Sequence, residues 1–305
     1  MTFPYLSLGC HNLTGGSSRR RSNRLVQCAL DFGIRRFDVA PSYGMGTAER
    51  TLGVALGKKR SDPSIEITTK FGLLPGPLGG LKAWIREPVR LIRRTGSARA
   101  SGKDAAIRPK PPTLVGSRVD PLQSLERSLR ALGVDRLGCL LTHEAIHPDC
   151  RVHAIETLER LRREGVIGKF GYSGARLAVQ KLLSVDTTAV GATVVQVSIA
   201  DAYAIGHRPN LRIFNVSVMA SRIFDSSALR TSLCESLGSY SFATALAAAL
   251  SFSHQNWEDA IILVNASSDK RLAEVLAALS DRRMTDWVCA NMAGLRALAN
   301  GGSMA

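Results

Sequence analysis

Nowhere in its 305 residues does the chain hold a run near the ~18 apolar residues that a membrane-spanning helix requires. Its first segment, Met1 to Cys10, has neither a basic start nor a long apolar stretch, so no targeting leader is expected and the cytoplasm is the expected location. Cysteine is sparse: the six, at positions 10, 28, 139, 150, 234 and 289, make no CxxC pair and sit mostly among apolar neighbours. That excludes a disulfide framework and predicts reduced thiols. No G-x-G-x-x-G follows the first apolar strand, which argues against an open Rossmann sheet as a nucleotide-binding device.

What the chain does have is a repeated alternation of strand-like and helix-like runs. With 45% hydrophobic residues it can build a core without a disulfide or metal staple. The strand candidates are Leu6–Cys10, Arg35–Asp38, Glu66–Phe71, Leu137–His143, Lys169–Ser173, Val194–Ile199, Arg212–Val218 and Ala260–Val264. Several are apolar throughout, the pattern of parallel strands covered by helices. The helices between them have readable ends. Asp120 is an N-cap, Pro121 takes the first helical position, and Leu122, Leu125, Leu129 and Leu132 form an apolar stripe that Gly133 ends. Another helix runs from about Thr47 with Leu52, Ala55 and Leu56 inward, and a third carries Ile155, Leu158 and Leu161 and stops at Gly165. In a fourth, Ser267 or Ser268 caps a stripe of Leu272, Val275 and Leu279. Eight strands with intervening helices predict a closed (β/α)8 TIM barrel, one domain over residues 1–305, with an open doubly wound sheet as the alternative.

The formal charge is +15, and part of the excess is local. From Phe71 to Asp120 the chain carries ten basic residues against three acidic ones and is rich in Gly and Pro. It is expected to be a long basic insertion after the third strand, serving as a solvated loop or as a lid or docking element, with a basic amphipathic helix near Leu81 to Arg94. Trp84 is its one internal aromatic, so it lacks the interleaved rings of a stacking platform, and no nucleic-acid partner is expected.

Four residues at strand ends and loops stand out chemically. Asp38 closes the second strand, Tyr43 lies in a loop punctuated by Pro41, Gly44 and Gly46, Lys70 nears the end of the third strand, and His143 ends the fourth. In a β/α barrel the strand C-termini face the active site. Each alone has a plainer use: Asp38 as a loop cap, Tyr43 in packing, Lys70 for solubility, His143 as a satisfied histidine. Together they form a proton-transfer set. A tyrosine is a poor acid at neutral pH, a nearby ammonium stabilises its phenolate, a carboxylate holds that ammonium, and a neutral imidazole orients a substrate carbonyl.

At these residues the sequence resembles the aldo-keto reductase family. The likeness runs through Gly33–Gly57, Thr68–Gly72, Leu125–His143 and Gly165–Ser173, covers most of the chain apart from the insertion, and fades after about residue 215. The resemblance implies a (β/α)8 barrel that binds NADPH, or NADH, without a Rossmann fold and acts on a small-molecule carbonyl substrate. It maps the family's catalytic Asp, Tyr, Lys and His onto Asp38, Tyr43, Lys70 and His143. It also implies cofactor contacts at Ser173 after the fifth strand, Gln196 on the sixth, Ser217 and Arg222 after the seventh, and Ser267, Ser268 and Arg271 after the last. Ser267 and Ser268 have helix capping as an alternative use. Two positions depart from the family pattern: Gly174 replaces the asparagine that holds the nicotinamide amide, and Val216 replaces the tyrosine that stacks on the nicotinamide ring.

His143-Glu144-Ala145-Ile146-His147 matches the H-E-x-x-H zinc-hydrolase signature, but that chemistry needs both histidines on one helix face. Here an apolar strand precedes the motif and Pro148 follows it, so no metal is expected. The leading expectation is an NADPH-dependent oxidoreductase for an aldehyde, ketone or sugar-like carbonyl, with Tyr43 as general acid. The alternative, prompted by Gly174 and Val216, is a catalytically weak or inactive barrel acting as a binding or regulatory subunit.

Overall fold

Eight parallel strands close on themselves in chain order, each paired to its sequence neighbour and β8 returning to β1 with Leu263 opposite Ser7. The computed structural model describes residues 2–15, 18–73, 120–143, 148–174, 193–199 and 211–300. In order they form β1 (Leu6–Gly9), α1 (Arg19–Asp31), β2 (Arg36–Asp38), α2 (Ala48–Leu56), β3 (Glu66–Phe71), α3 (Pro121–Leu132), β4 (Leu137–His143), α4 (Pro148–Arg163) and β5 (Ile167–Ser173). Then follow β6 (Thr193–Ser198), β7 (Leu211–Asn215), α5 (Ser217–Asp225), α6 (Ser227–Leu237), α7 (Phe242–Asn256), β8 (Ile261–Val264), α8 (Asp269–Ser280), α9 (Arg282–Ala290) and α10 (Met292–Ala299). This is the (β/α)8 barrel that the alternation predicts. The expected amphipathic helix near Leu81 to Arg94 and nearly all of the basic insertion lie outside the described residues.

The helix ends follow local chemistry. Asp120 accepts a hydrogen bond from the Leu122 amide at 2.9 Å, and Pro121 fills the position where an amide would be unpaired. Gly133 then takes the left-handed conformation, φ 68°, that ends α3. For α8 the cap is Ser268, whose hydroxyl accepts from the Arg271 amide at 3.3 Å. Val26 and Ala29 of α1, Leu52 of α2 and Leu132 of α3 pack in one core with Leu8, Phe37, Ile67 and Leu140 of the strands. Helix α7 is buried along most of its length, and Ala245, Ala247, Ala248 and Ala249 let it pack closely against α5 and α8. A separate, smaller cluster of Cys139, Leu141, Val194, Ile213 and Leu263 fills the barrel interior.

Strand β7 ends earlier than its apolar run suggests. Val218 is expected in the strand, but the strand stops at Asn215 and helix α5 begins at Ser217. The Asn215 side-chain oxygen accepts from the Ser217 amide at 3.0 Å, and this local bond turns the chain out of the ladder. Ser217, Val216 and Arg222 therefore sit at or in a helix rather than at a strand end.

Candidate active site

Register places the chemistry. Asp38 pairs with Thr68 across β2 and β3, and Lys70 is the next residue of β3 to face the same way. Lys70 pairs with Leu141 across β3 and β4, which puts His143 on that face as well. His143 pairs with Ser173, and Ser173 with Gln196. Alternation along short parallel strands thus aims Asp38, Lys70, His143, Ser173 and Gln196 into the C-terminal mouth of the barrel.

Tyr43 reaches the same point from a turn. The Tyr43 amide donates to Ala40 at 3.0 Å, and Gly44 and Met45 follow with φ of 55° and 58°. A Cβ on Gly44 would lie 2.0 Å from the carbonyl oxygen of Leu13, so only glycine lets this turn settle against the loop after β1.

The four residues meet. The Lys70 Nζ lies 2.7 Å from Asp38 Oδ1 and 3.3 Å from the Val39 carbonyl, and it faces the Tyr43 ring 4.9 Å from its centroid. The edge of one ring meets the other between Tyr43 and His143, with centroids 5.7 Å apart. Burial opposes the charge on Lys70, but Asp38 and Tyr43 outweigh it and hold the ammonium pKa above its ordinary value. Burial raises the Tyr43 pKa more than Lys70 lowers it, and Asp38 adds to the rise. The net shift is therefore upward, where the expected effect of the ammonium alone is downward. Tyr43 is a fully protonated acid at neutral pH whose conjugate base Lys70 stabilises. Burial, with a smaller contribution from Lys70, pushes His143 down to about 4, so its imidazole is neutral, and its Nδ1 is buried without a partner among the described residues.

The residues expected to contact a nucleotide fall into three places. Ser173 and Gln196 are bonded to each other, Oγ to Oε1 at 2.6 Å, and Gln196 Nε2 donates to Asp38 Oδ2 at 2.8 Å. Ser217, Ser267 and Arg271 line a groove of about 320 Å³, together with His11, Asn12 and Asn265. Ser268 caps the helix that begins at this groove, so the capping use of that serine is realised. Arg222 does not line the groove: its guanidinium donates to the Leu298 carbonyl at 2.5 Å, tying α5 to α10. Val216 is fully buried in the core, and offers no ring to a ligand.

Sequence reasoning missed a second layer. His11 follows β1 and Asn265 follows β8, both at the mouth of the barrel, and both line the groove, where the Asn265 side chain partly offsets the downward effect of burial on the His11 pKa. Asn265 Nδ2 also donates to Ser217 Oγ at 3.2 Å, and the His11 ring meets the edge of Tyr43 with centroids 6.3 Å apart. Their position after strand C-termini is the signal that identifies them. Arg21 of α1 bonds the Ser267 carbonyl at 2.8 Å through Nε, and Arg24 pairs with Asp269 at 3.3 Å, so α1 braces the groove. Behind the site, buried Glu49 accepts from the Thr69 hydroxyl at 2.7 Å and locks α2 to β3. Of the H-E-x-x-H motif, His143 is the last residue of β4 and not helical, while residues 144–147 lie outside the described set.

Comparison with known proteins gives the chain a family. The model of the aldo/keto reductase family matches residues 5–296. Among curated proteins, a D-threo-aldose 1-dehydrogenase from Pseudomonas sp. is 30% identical over 187 residues, covering 56% of this chain and 50% of its own. The uncharacterized oxidoreductase YqkF of Bacillus subtilis is 26% identical over 215 residues, covering 70% and 59%. The chain thus spans about half the length of the curated relatives it matches. Among solved structures, a thermostable aldo-keto reductase in complex with epalrestat superposes with a TM-score of 0.62 at 18% identity, covering 94% of this chain and 95% of that one. The holo form of an aldo-keto reductase from Bacillus halodurans gives 0.60 at 20% identity, covering 94% and 91%. At these identities the structural likeness concerns the fold.

Proposed function

The chain belongs to the aldo/keto reductase family, and from that premise we propose that it is an NADPH-dependent oxidoreductase interconverting a small-molecule carbonyl and its alcohol, with Tyr43 as the general acid. One observation carries the reading: a buried ammonium, Lys70, clasped by Asp38 and facing the ring of Tyr43.

The groove fits an anionic nucleotide. Ser217 and Ser267 offer hydroxyls, the N-terminus of α8 begins just after Ser267 at the groove's edge, and Arg271 contributes an exposed guanidinium that offsets the charge of Glu274 in the same lining. Arg271 is the side chain suited to a 2′-phosphate, which favours NADPH over NADH. When bound, a nicotinamide dinucleotide would supply the hydride for the carbonyl carbon.

The chain's own residues do the rest. His143, neutral because it is desolvated, holds the carbonyl oxygen beside Tyr43. Tyr43 gives its hydroxyl proton to that oxygen as negative charge gathers on it. Lys70 offsets the resulting phenolate charge, and Asp38 keeps Lys70 charged and in place. In the oxidative direction the same phenolate takes the alcohol proton. Aldehydes, ketones and sugar-like carbonyls are the substrate class, supported by the family and by the polar surroundings that His11 and Asn265 add to the mouth. The reading includes a cytoplasmic location, supported by sparse cysteines that are free among the described residues. No helix among the described residues is long and apolar enough to cross a membrane.

Titration of the full chain with NADPH and with NADH, followed by nicotinamide fluorescence and calorimetry, tests the reading. Micromolar NADPH binding together with carbonyl reduction that vanishes in Tyr43→Phe is the expected result. A second reading, a binding or regulatory barrel, draws on the mutual engagement of Ser173 and Gln196 and on Val216 in place of a stacking ring. Absence of binding by either nucleotide at millimolar concentration selects it.

A further inference from the structure

Gln196 stands where the family resemblance expects a cofactor contact, yet both ends of its own amide are engaged inside the protein. Nε2 donates to Asp38 Oδ2 at 2.8 Å, and Oε1 accepts from Ser173 Oγ at 2.6 Å. The orientation follows from chemistry. An ionised carboxylate only accepts, so the amide nitrogen must face Asp38 and the oxygen is left for the serine hydroxyl. Asp38, Gln196 and Ser173 are each exposed by 9% or less, so water does not substitute for any of these partners.

Asp38 therefore has one donor per oxygen, Lys70 on Oδ1 and Gln196 on Oδ2. With both oxygens held, the carboxylate cannot rotate about its terminal bond. We propose that Gln196 is a positioning residue: acting through Asp38, with Ser173 as its anchor, it fixes the Lys70 ammonium against Tyr43. The chain of contacts runs Ser173, Gln196, Asp38, Lys70, Tyr43 and so crosses the barrel mouth from β5 and β6 to β2 and β3. This inference rests on Tyr43 being the general acid. It also accounts for how a barrel with Gly174 and Val216 at the nicotinamide positions keeps an ordered proton-transfer set: the neighbouring polar residues support the acid.

The groups facing Tyr43 are Lys70 from β3, Asp38 from β2, Cys10 and His11 after β1, and His143 from β4. Of these, the Gln196 amide bonds Asp38, and it partly neutralises that carboxylate. Removing the donor makes the site more negative and disfavours the phenolate.

The test uses the full chain with Gln196→Met and Gln196→Glu, both close to glutamine in length. Tyr43 ionisation is followed without cofactor by phenolate absorbance, with Tyr43→Phe subtracted to remove the other tyrosines. NADPH affinity and kcat are measured in parallel. The expected result is an upward shift of the Tyr43 titration in both variants, larger for Gln196→Glu, whose charge sits against Asp38. A roughly tenfold loss in kcat with the NADPH Kd within about threefold of wild type accompanies it, the loss of one charge-assisted hydrogen bond. For Gln196→Glu the loss relative to wild type shrinks at low pH, where the new carboxyl is protonated and again donates. An unmoved Tyr43 titration with an NADPH Kd raised tenfold or more overturns the inference and makes Gln196 a nicotinamide ligand. If wild type neither binds nucleotide nor reduces a carbonyl, the proposed function fails, while the Tyr43 titration in the cofactor-free protein still decides the role of Gln196.

Discussion

The Nζ of Lys70 lies 2.7 Å from Oδ1 of Asp38, with their side chains only 1% and 4% exposed. A buried pair of this kind contributes little compared with a well-packed apolar pair, but breaking it leaves an uncompensated charge. Asp38→Asn should destabilise the protein by about 3–5 kcal/mol in urea unfolding, and Lys70→Met should do the same. The double variant should cost clearly less than the two together, because each charge is the other's compensation. Additive losses would show that the two side chains are stabilised independently, and the proton-transfer set would lose its organising contact.

Tyr43→Phe removes one hydroxyl and leaves the ring that meets His11 and His143. Turnover should fall by about 10²–10⁴, the range for a general acid, while NADPH affinity and thermal midpoint stay near wild type. A fall in Kd-limited terms alone, with kcat retained, would move the acid to another residue.

His143 supplies a pH dependence of stability. Its folded pKa, about 4, is below the ordinary histidine value because burial disfavours the imidazolium. As pH falls below about 6.5 the unfolded chain takes up a proton that the folded site resists, so stability declines until the folded pKa is reached. The loss should approach about 3 kcal/mol between pH 6.5 and 4. His143→Gln should flatten this part of the profile in urea melts across that range, and an unchanged slope would assign the effect to His11 and His254, whose pKa values burial also lowers.

Much of the barrel was legible because its signals are local. Continuous apolar runs marked the buried parallel strands, and Asp120, Pro121 and Gly133 bounded a helix by known end chemistry. That Asp38, Tyr43, Lys70 and His143 come together was legible because Asp38, Lys70 and His143 stand at strand ends and Tyr43 among turn residues. What was not legible depends on side-chain direction. Asn215 reads as one more residue of an apolar strand, yet its amide bends the chain into α5. Arg222 reads as a phosphate ligand but is turned to the Leu298 carbonyl, a contact between residues 76 positions apart. His11 and Asn265 lie at opposite ends of the sequence and meet only because the barrel closes β8 onto β1. The balance of burial against charge at Tyr43 likewise needs the surroundings, since the sequence shows the ammonium but not the desolvation.

Arg271 provides the sharpest discrimination between nucleotides. It lies in the first turn of α8, its amide bonded to the Ser268 cap, and its side chain lines the groove with Ser217, Ser267 and Asn265. Asp269, one turn position away, would repel a phosphate, but Arg24 pairs with it and reduces that repulsion. If Arg271 reads the 2′-phosphate, Arg271→Ala should raise the Kd for NADPH by about tenfold or more, the loss of a hydrogen bond between charged groups. The Kd for NADH should change less than about twofold, since it lacks that phosphate and no such bond is lost. Raising salt should narrow the gap between the two nucleotides in wild type and have little effect on it in the variant, because the guanidinium is exposed and screened. Equal weakening of both nucleotides would place Arg271 on the shared part of the dinucleotide, and no change in either would remove it from the binding groove altogether.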